Sequence, residues 1–271
     1  MIEIGKIKIG DRLPFVLIAG PCVVENETLT LKTAEEIKKI TDELKIPYIF
    51  KSSYKKANRT SIKSFSGLDL NDAVKILNKV KESFDLPILT DVHTEQEIEV
   101  ANEIADVIQI PAFLCRQTEL LIAAGKTGKV VNVKKGQFLA PEDMKHVAEK
   151  IETTGNKKIL LTERGTTFGY HNLVVDMRGL EIMKSFGYPV VMDATHAVQI
   201  PGQGDISGGE RKFISTLAKA AAAVGINGLF LEVHPEPDKA LSDAASQLPL
   251  SSLRQLLITI QEIDSIVKNE K

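Results

Sequence analysis

Short apolar runs rich in β-branched residues alternate along this chain with longer stretches whose apolar positions recur every three or four residues. Eight runs read as strands: 15–19, 48–51, 87–90, 106–110, 129–133, 158–161, 189–192 and 228–231. Between them 33–44, 71–83, 95–104, 141–151 and 209–224 read as helices, and 253–267 follows the last strand. Strands that are apolar throughout are buried on both faces, and their alternation with helices predicts a parallel β/α architecture. Eight units favour closure into a (β/α)8 TIM barrel; the competing arrangement is an open sheet with extra strands. A dinucleotide fold requires Gly-x-Gly-x-x-Gly after its first strand, and here that strand runs into Gly20-Pro21-Cys22. Upstream, 2–4 and 7–9 flank Gly5-Lys6 and predict a short N-terminal β-hairpin, placed to close the bottom of the barrel. No linker rich in Pro, Gly or Ser interrupts the pattern, so 1–271 is expected to form a single catalytic domain.

Composition narrows the setting without naming a chemistry. Hydrophobic residues make up 43% and charged residues 26%, an ordinary globular mixture. A formal net charge of −2 gives no reason to expect nucleic acid or an anionic membrane as partner. No run approaches the length of a membrane span, and 1–11 has no apolar core of signal-peptide length, so a cytoplasmic protein is expected. The two cysteines, Cys22 and Cys115, cannot build a disulfide framework and read as free thiols or ligands.

In a β/α barrel, catalytic groups sit at the C-terminal ends of the strands. The first predicted strand leads to Cys22 and Glu25, and the second ends at Lys51, followed by Ser53, Lys56, Asn58 and Arg59. The third ends at Asp91 and His93, the fourth carries Gln109, and the fifth ends at Lys134 and Lys135. The sixth leads to Glu163 and Arg164, the seventh to Asp193 and His196, and the eighth to Glu232 and His234. Two subsets have chemical meaning. Cys22, His196, Glu232 and Asp243 offer a thiolate, an imidazole and carboxylates, which suit a divalent ion such as Zn²⁺, Fe²⁺ or Mn²⁺. Taken singly, a Cys after a strand is more often a small core residue, so only the barrel makes a set of them. The second subset is cationic: Lys51, Lys56, Arg59, Arg116, Lys134 and Arg164. Several cations at one mouth imply an anionic ligand, most simply phosphate, and six exceed what one phosphate needs. Two anionic substrates account for them; a solvated basic rim is the competing reading. The glycine-rich segment 201–209 reads equally as a mobile lid or as an ordinary connection.

These residues also carry a family resemblance. The segments Ala19-Gly20-Pro21-Cys22, Phe50-Lys51-Ser52-Ser53, Lys56-Ala57-Asn58-Arg59, Gln109-Ile110-Pro111-Ala112 and Asn132-Val133-Lys134-Lys135-Gly136 resemble the 3-deoxy-D-manno-octulosonate 8-phosphate synthase family. So do Thr162-Glu163-Arg164-Gly165, Asp193-Ala194-Thr195-His196, Glu232-Val233-His234-Pro235 and Leu241-Ser242-Asp243, and the similarity runs from about residue 15 to 250. The related 3-deoxy-D-arabino-heptulosonate 7-phosphate synthases, which use erythrose 4-phosphate, have Lys-Pro-Arg where this chain has Lys56-Ala57-Asn58-Arg59. The resemblance implies condensation of phosphoenolpyruvate with D-arabinose 5-phosphate, a step towards the lipopolysaccharide sugar Kdo, by a homotetrameric enzyme. Metal-independent members have Asn at the position of Cys22, so a divalent metal is implied, held by Cys22, His196, Glu232 and Asp243. Lys134, Arg164, Arg116 and Gln109 would hold phosphoenolpyruvate, and Lys56 would lie near the aldehyde. Arg59 and Thr60 would grip the sugar phosphate and Asn58 a sugar hydroxyl, with Lys51 and Ser53 also against substrate. Asp91 and His93 are the candidates for handling protons. Three features depart from the family pattern: Lys55 where Asp is common, His171 where Asn is usual, and a shortened 201–209 loop. A barrel that kept phosphometabolite binding and lost its chemistry is the non-enzymatic alternative.

Overall fold

The computed structural model describes residues 1–57, 65–201 and 208–269. Eight parallel strands form the barrel wall: Val16–Gly20, Tyr48–Lys51, Ile88–Asp91, Val107–Ile110, Val130–Lys134, Ile159–Glu163, Val190–Asp193 and Gly228–His234. Each pairs with the next, and the eighth pairs with the first in parallel register from Gly228↔Val16 to Glu232↔Gly20, which closes the barrel. The helices α1 (Glu27–Leu44), α2 (Leu70–Phe84), α3 (Glu95–Ile104), α4 (Thr118–Lys126), α5 (Met144–Glu152), α6 (Met177–Lys184), α7 (Ile214–Val224) and α8 (Leu250–Asn269) surround it. Among the described residues no helix is long and apolar enough to cross a membrane.

The strands depart from the sequence pattern in one consistent way. Several continue past their apolar run into polar residues: Lys134 pairs with Thr162, Met192 with Glu163, and Glu232 with Gly20. At the other end Pro87 and Pro189 lie just outside their strands, where each contributes a carbonyl and lacks an N–H to donate. Helix α1 starts earlier than its apolar spacing suggests because the Asn26 side chain accepts the Leu29 N–H and caps it. The 209–224 region divides into a short Gly208–Gly209 strand, a 3₁₀ turn and α7.

Side chains along a strand alternate between its faces, and this period sorts the barrel interior into layers. The lower layer, Val16, Ile18, Ile49, Leu89, Val107, Val130, Leu160, Val191 and Phe230, is one apolar cluster that includes Ile2, Ile4 and Ile9. Those isoleucines come from the N-terminal hairpin, paired Ile2↔Ile9 and Ile4↔Ile7, so the hairpin plugs the bottom as expected. Two residues further along each strand the interior turns polar: Gly20, Lys51, Asp91, Gln109, Asn132, Thr162, Asp193 and Glu232, all buried. Gly20 fits this layer because a Cβ there would sit 2.0 Å from the Lys51 carbonyl oxygen.

Candidate active site

The polar layer is a connected hydrogen-bond belt. The Thr162 hydroxyl donates to Asn132 Oδ1 at 2.6 Å, Asn132 Nδ2 to Gln109 Oε1 at 2.8 Å, and Gln109 Nε2 to Asp91 Oδ1 at 2.6 Å. The Ser53 hydroxyl donates to Asp91 Oδ2, and Lys51 Nζ donates to Ser53 Oγ at 3.2 Å and Glu232 Oε1 at 2.8 Å. An ionised carboxylate only accepts, so Asp91 fixes the amide orientation of Gln109, and Gln109 that of Asn132. Burial would raise the Asp91 carboxyl, but Lys51 and Lys56 outweigh it and hold the group well below the usual range. Glu232 is likewise held low: burial opposes ionisation, and Lys51, His196 and Lys56 overcome it. Asn132 and Thr162 were not singled out as site residues from the sequence, and Asp193 was named there as a strand-end group without a role. The available signal was parity, since Asn132 and Thr162 lie two residues before Lys134 and Arg164.

Above this belt Cys22, Glu232 and Asp243 each bring one ligand atom within 4.8 Å of the others. Cys22 Sγ is 3.3 Å from Asp243 Oδ2, and burial together with Glu232 pushes the thiol well up. Gln247 spans the pair, accepting the Cys22 N–H at 3.3 Å and donating to the Ser242 carbonyl at 2.8 Å. His196 stands beside the cluster, with Nε2 3.6 Å from Glu232 Oε1 and Nδ1 2.7 Å from Asp193 Oδ2. A ring whose one nitrogen is anchored to a carboxylate leaves the other oriented as a ligand, the usual arrangement around protein metals. Glu232 Oε2 is buried and has no hydrogen-bond partner among the described residues. A buried carboxylate with an oxygen lacking a donor, clustered with a thiol and a second carboxylate, fits a divalent cation.

The adjoining cavity is lined by Lys51, Lys56, Asp91, His93, Gln109, Pro111, Ala112, Phe113, Lys134, Arg164 and His196, and encloses about 480 Å³ out to its open mouth. The charge count differs from the sequence expectation. Lys51 is paired with Glu232, and Lys134 with Asp193 at 2.7 Å, so neither is a free cation. Lys134 Nζ also lies 4.1 Å above the Phe230 ring centroid, the floor of the site, and burial draws its pKa down. Arg164 is the exception. It is 6% exposed, Nη2 donates to Gln199 at 2.8 Å, and Nε and Nη1 are buried without a partner among the described residues. A guanidinium left with open donors in a cavity is built to receive an anion.

Some expected residues stand elsewhere. Arg116 is exposed and does not line the cavity; the chain turns it outward after the short 3₁₀ segment Ala112–Leu114. Lys135 and Glu163 fall on the opposite strand face from Lys134 and Arg164, where they form a buried pair at 3.4 Å. Asn58, Arg59 and Thr60, and most of the 201–209 loop, lie outside the described residues. At that loop's neck Gln199–Ile200 pairs with Gly208–Gly209, and His171 meets the Pro201 carbonyl. His171 has φ 54, a left-handed conformation that Asn and His tolerate better than most side chains, so His can replace the usual Asn there. Cys115 is buried away from the cavity, against Gly136.

A closed barrel with a charge-lined cavity at the C-terminal ends of its strands has the layout of a β/α-barrel enzyme. The chain belongs to the DAHP synthetase I family, whose family model matches residues 1–269. Its similar relatives carry a narrower name. The 2-dehydro-3-deoxyphosphooctonate aldolase of Geobacter metallireducens is 58% identical over 268 residues, 98% of each chain. The proteins of that name from Pelobacter propionicus and Dichelobacter nodosus are 55% identical over 268 residues, 98% of each chain, and 57% identical over 259 residues, 95% of this chain and 94% of the relative.

Proposed function

We propose that this chain condenses phosphoenolpyruvate with D-arabinose 5-phosphate and water, giving 3-deoxy-D-manno-octulosonate 8-phosphate and inorganic phosphate. The observation that carries this reading is Arg164, a buried guanidinium with two open donors beside Lys134 in the barrel mouth. C3 of phosphoenolpyruvate bonds to the aldehyde carbon, water oxygen bonds to C2, and the C2–O bond breaks to release phosphate. Arg164 and Lys134, with Gln109, bind phosphoenolpyruvate; Arg116, exposed and outside this chain's cavity, is assigned there by resemblance alone. Lys56, 3.7 Å from Glu232, lies between the two substrates and faces the oxygen on which negative charge grows. Lys51 and Ser53 brace this arrangement from below, and Asn58, Arg59 and Thr60 are assigned to the sugar phosphate by resemblance. Asp91, held ionised by its donors and the nearby lysines, serves as a fixed negative charge, which leaves His93 as the group better suited to accept a proton.

Cys22, His196, Glu232 and Asp243 would hold one divalent ion, of which Zn²⁺, Fe²⁺ and Mn²⁺ all suit the donor set. Such an ion supplies Lewis acidity that polarises a carbonyl or lowers the pKa of water. The relatives' names and Lys56-Ala57-Asn58-Arg59 favour arabinose 5-phosphate over erythrose 4-phosphate. The resemblance also supports a cytoplasmic homotetramer, which light scattering would test. The deciding experiment is phosphate release with each aldose phosphate, with and without chelator. Turnover of arabinose 5-phosphate that chelator abolishes is expected. Turnover of erythrose 4-phosphate alone would reverse the substrate assignment, and indifference to chelator would remove the metal.

A further inference from the structure

One carboxylate at the edge of the cavity has no part in the scheme above, yet it holds a residue that does. Glu97 lies in the first turn of α3. Its Oε2 accepts the His93 backbone N–H at 2.7 Å, meets His93 Nδ1 at 3.0 Å, and accepts the Tyr54 hydroxyl at 2.7 Å. Its Oε1 accepts from Lys55 Nζ at 3.2 Å. Tyr54 is 2% exposed and packs edge-on against the His93 ring, centroids 6.3 Å apart at 82°. Tyr54 and Lys55 immediately precede Lys56, so one side chain ties the segment that delivers Lys56 to the strand end that delivers His93.

The chemistry of these contacts fixes a tautomer. A carboxylate offers no proton, so the His93 nitrogen that faces it must carry one. Glu97 is ionised at neutral pH: burial opposes this, but the hydrogen bonds from Tyr54 and His93 outweigh it and hold the pKa at about 2. In a neutral imidazole with hydrogen on Nδ1, Nε2 has a lone pair, and it is the ring nitrogen left for the cavity that His93 lines.

We propose that Glu97 is a positioning residue that fixes His93 as its Nδ1–H tautomer, so that Nε2 faces the cavity as an acceptor for the water that adds to C2. As the water oxygen bonds to C2, its proton passes to Nε2 and then to the new alkoxide oxygen of the aldose; the other ring proton stays on Nδ1, donated to Glu97, throughout. That the donor is water rests on the condensation reading; the tautomer does not.

The test combines nitrogen NMR with kinetics. In protein labelled with ¹⁵N-histidine, the His93 signals are identified by their loss in His93→Gln. Wild-type His93 is expected to show hydrogen on Nδ1 and a bare Nε2. Glu97→Ala is expected to shift the ring towards hydrogen on Nε2 and to lower kcat about tenfold or more, with both KM values changed less than about threefold. Glu97→Gln, which keeps an acceptor oxygen, is expected to recover part of that loss. A wild-type ring with hydrogen on Nε2 would overturn the proposal, as would wild-type kcat in Glu97→Ala. If Glu97→Ala fails to fold, the wild-type tautomer and the kcat of Glu97→Gln decide. An Nδ1–H tautomer in a protein that condenses neither aldose phosphate would sink the condensation reading and leave the positioning role standing.

Discussion

Arg164 is subject to opposing demands before and after substrate arrives, and replacing it with Met separates them. Without ligand its Nε and Nη1 are buried and unpartnered among the described residues. Each unpaired buried donor costs about 1–3 kcal/mol, so two at the lower end cost roughly 2 kcal/mol. Burial pulls the guanidinium pKa down further than Asp193 and Asp243 raise it, so the fold as a whole disfavours this charge. Arg164→Met keeps an aliphatic stem of similar reach and removes both open donors. The bond it breaks is to Gln199, a half-buried side chain that can turn to water. Ligand-free Arg164→Met is therefore expected to be more stable by about 2 kcal/mol, or roughly 3–4 °C in Tm for a chain of this size. Saturating phosphoenolpyruvate, at about a hundred times Kd, stabilises the wild type by about 2.7 kcal/mol, and the variant should lose most of that gain. Scanning calorimetry with and without phosphoenolpyruvate reads both effects. The variant should melt above the wild type without ligand and gain much less on adding it. A variant that melts lower without ligand and shifts as far with it would refute the reasoning: Arg164 would then be a satisfied structural residue.

Three further outcomes are expected. Asn132→Leu leaves Gln109 Oε1 and the Thr162 hydroxyl without partners, and should cost roughly 2–5 kcal/mol in urea denaturation; a loss below about 0.5 kcal/mol would mean the belt is not a stabilising network. Ile9→Ala, in the plug at the far end of the barrel from the cavity, should cost about 2–4 kcal/mol with KM values unchanged; altered KM would show that the plug and the mouth are coupled. Glu97 has a folded pKa of about 2 against an ordinary 4.5, so its contribution is complete above 4.5 and lost as pH falls towards 2. The stability gap between wild type and Glu97→Gln should accordingly narrow from pH 6 to pH 3, and a gap independent of pH would contradict that assignment.

The alternation of apolar runs and helical spacing located every barrel strand, because parallel strands buried on both faces leave an unbroken apolar signature. The same signature hid the strand ends. Lys134, Thr162, Glu163 and Glu232 read as the start of loops, yet their backbones stay on the ladder. Pattern also failed to sort neighbours such as Lys134 and Lys135, or Glu163 and Arg164, which differ only in the face they take. Counting by two from Val130 and Leu160 would have sent Lys134 and Arg164 inward and Lys135 and Glu163 outward. Charge pairing is harder to read. Nothing in the local sequence links Lys51 to Glu232, 181 positions away, because that contact exists only when the eighth strand closes onto the first. Glu97 falls in between: a first-turn acid on α3 reads as a helix-dipole residue, and only Tyr54 and His93 together reveal its other use.

Under the proposed reading, closure also explains how one site could take both a phosphate and a metal without the two competing for charge. Asp193 stands between Lys134 and His196. Its Oδ2 lies 2.7 Å from Lys134 Nζ and 2.7 Å from His196 Nδ1, and its Oδ1 accepts the Thr195 hydroxyl at 3.0 Å and the His196 N–H at 2.9 Å. Burial would push this carboxyl up; His196 and Lys134 hold it far below the usual range instead. One ionised group therefore aims Lys134 into the cavity and turns His196 Nε2 towards Glu232. Glu232 repeats the division on its own two oxygens, with Oε1 bound to Lys51 and Oε2 left open. On each carboxylate the cations are held by short, buried contacts already made in the ligand-free protein, so little reorganisation remains when substrate charge develops. The open valences, Arg164 Nε and Nη1 and Glu232 Oε2, have opposite sign. An anion and a cation can therefore enter the same mouth and each find a site the other would not satisfy.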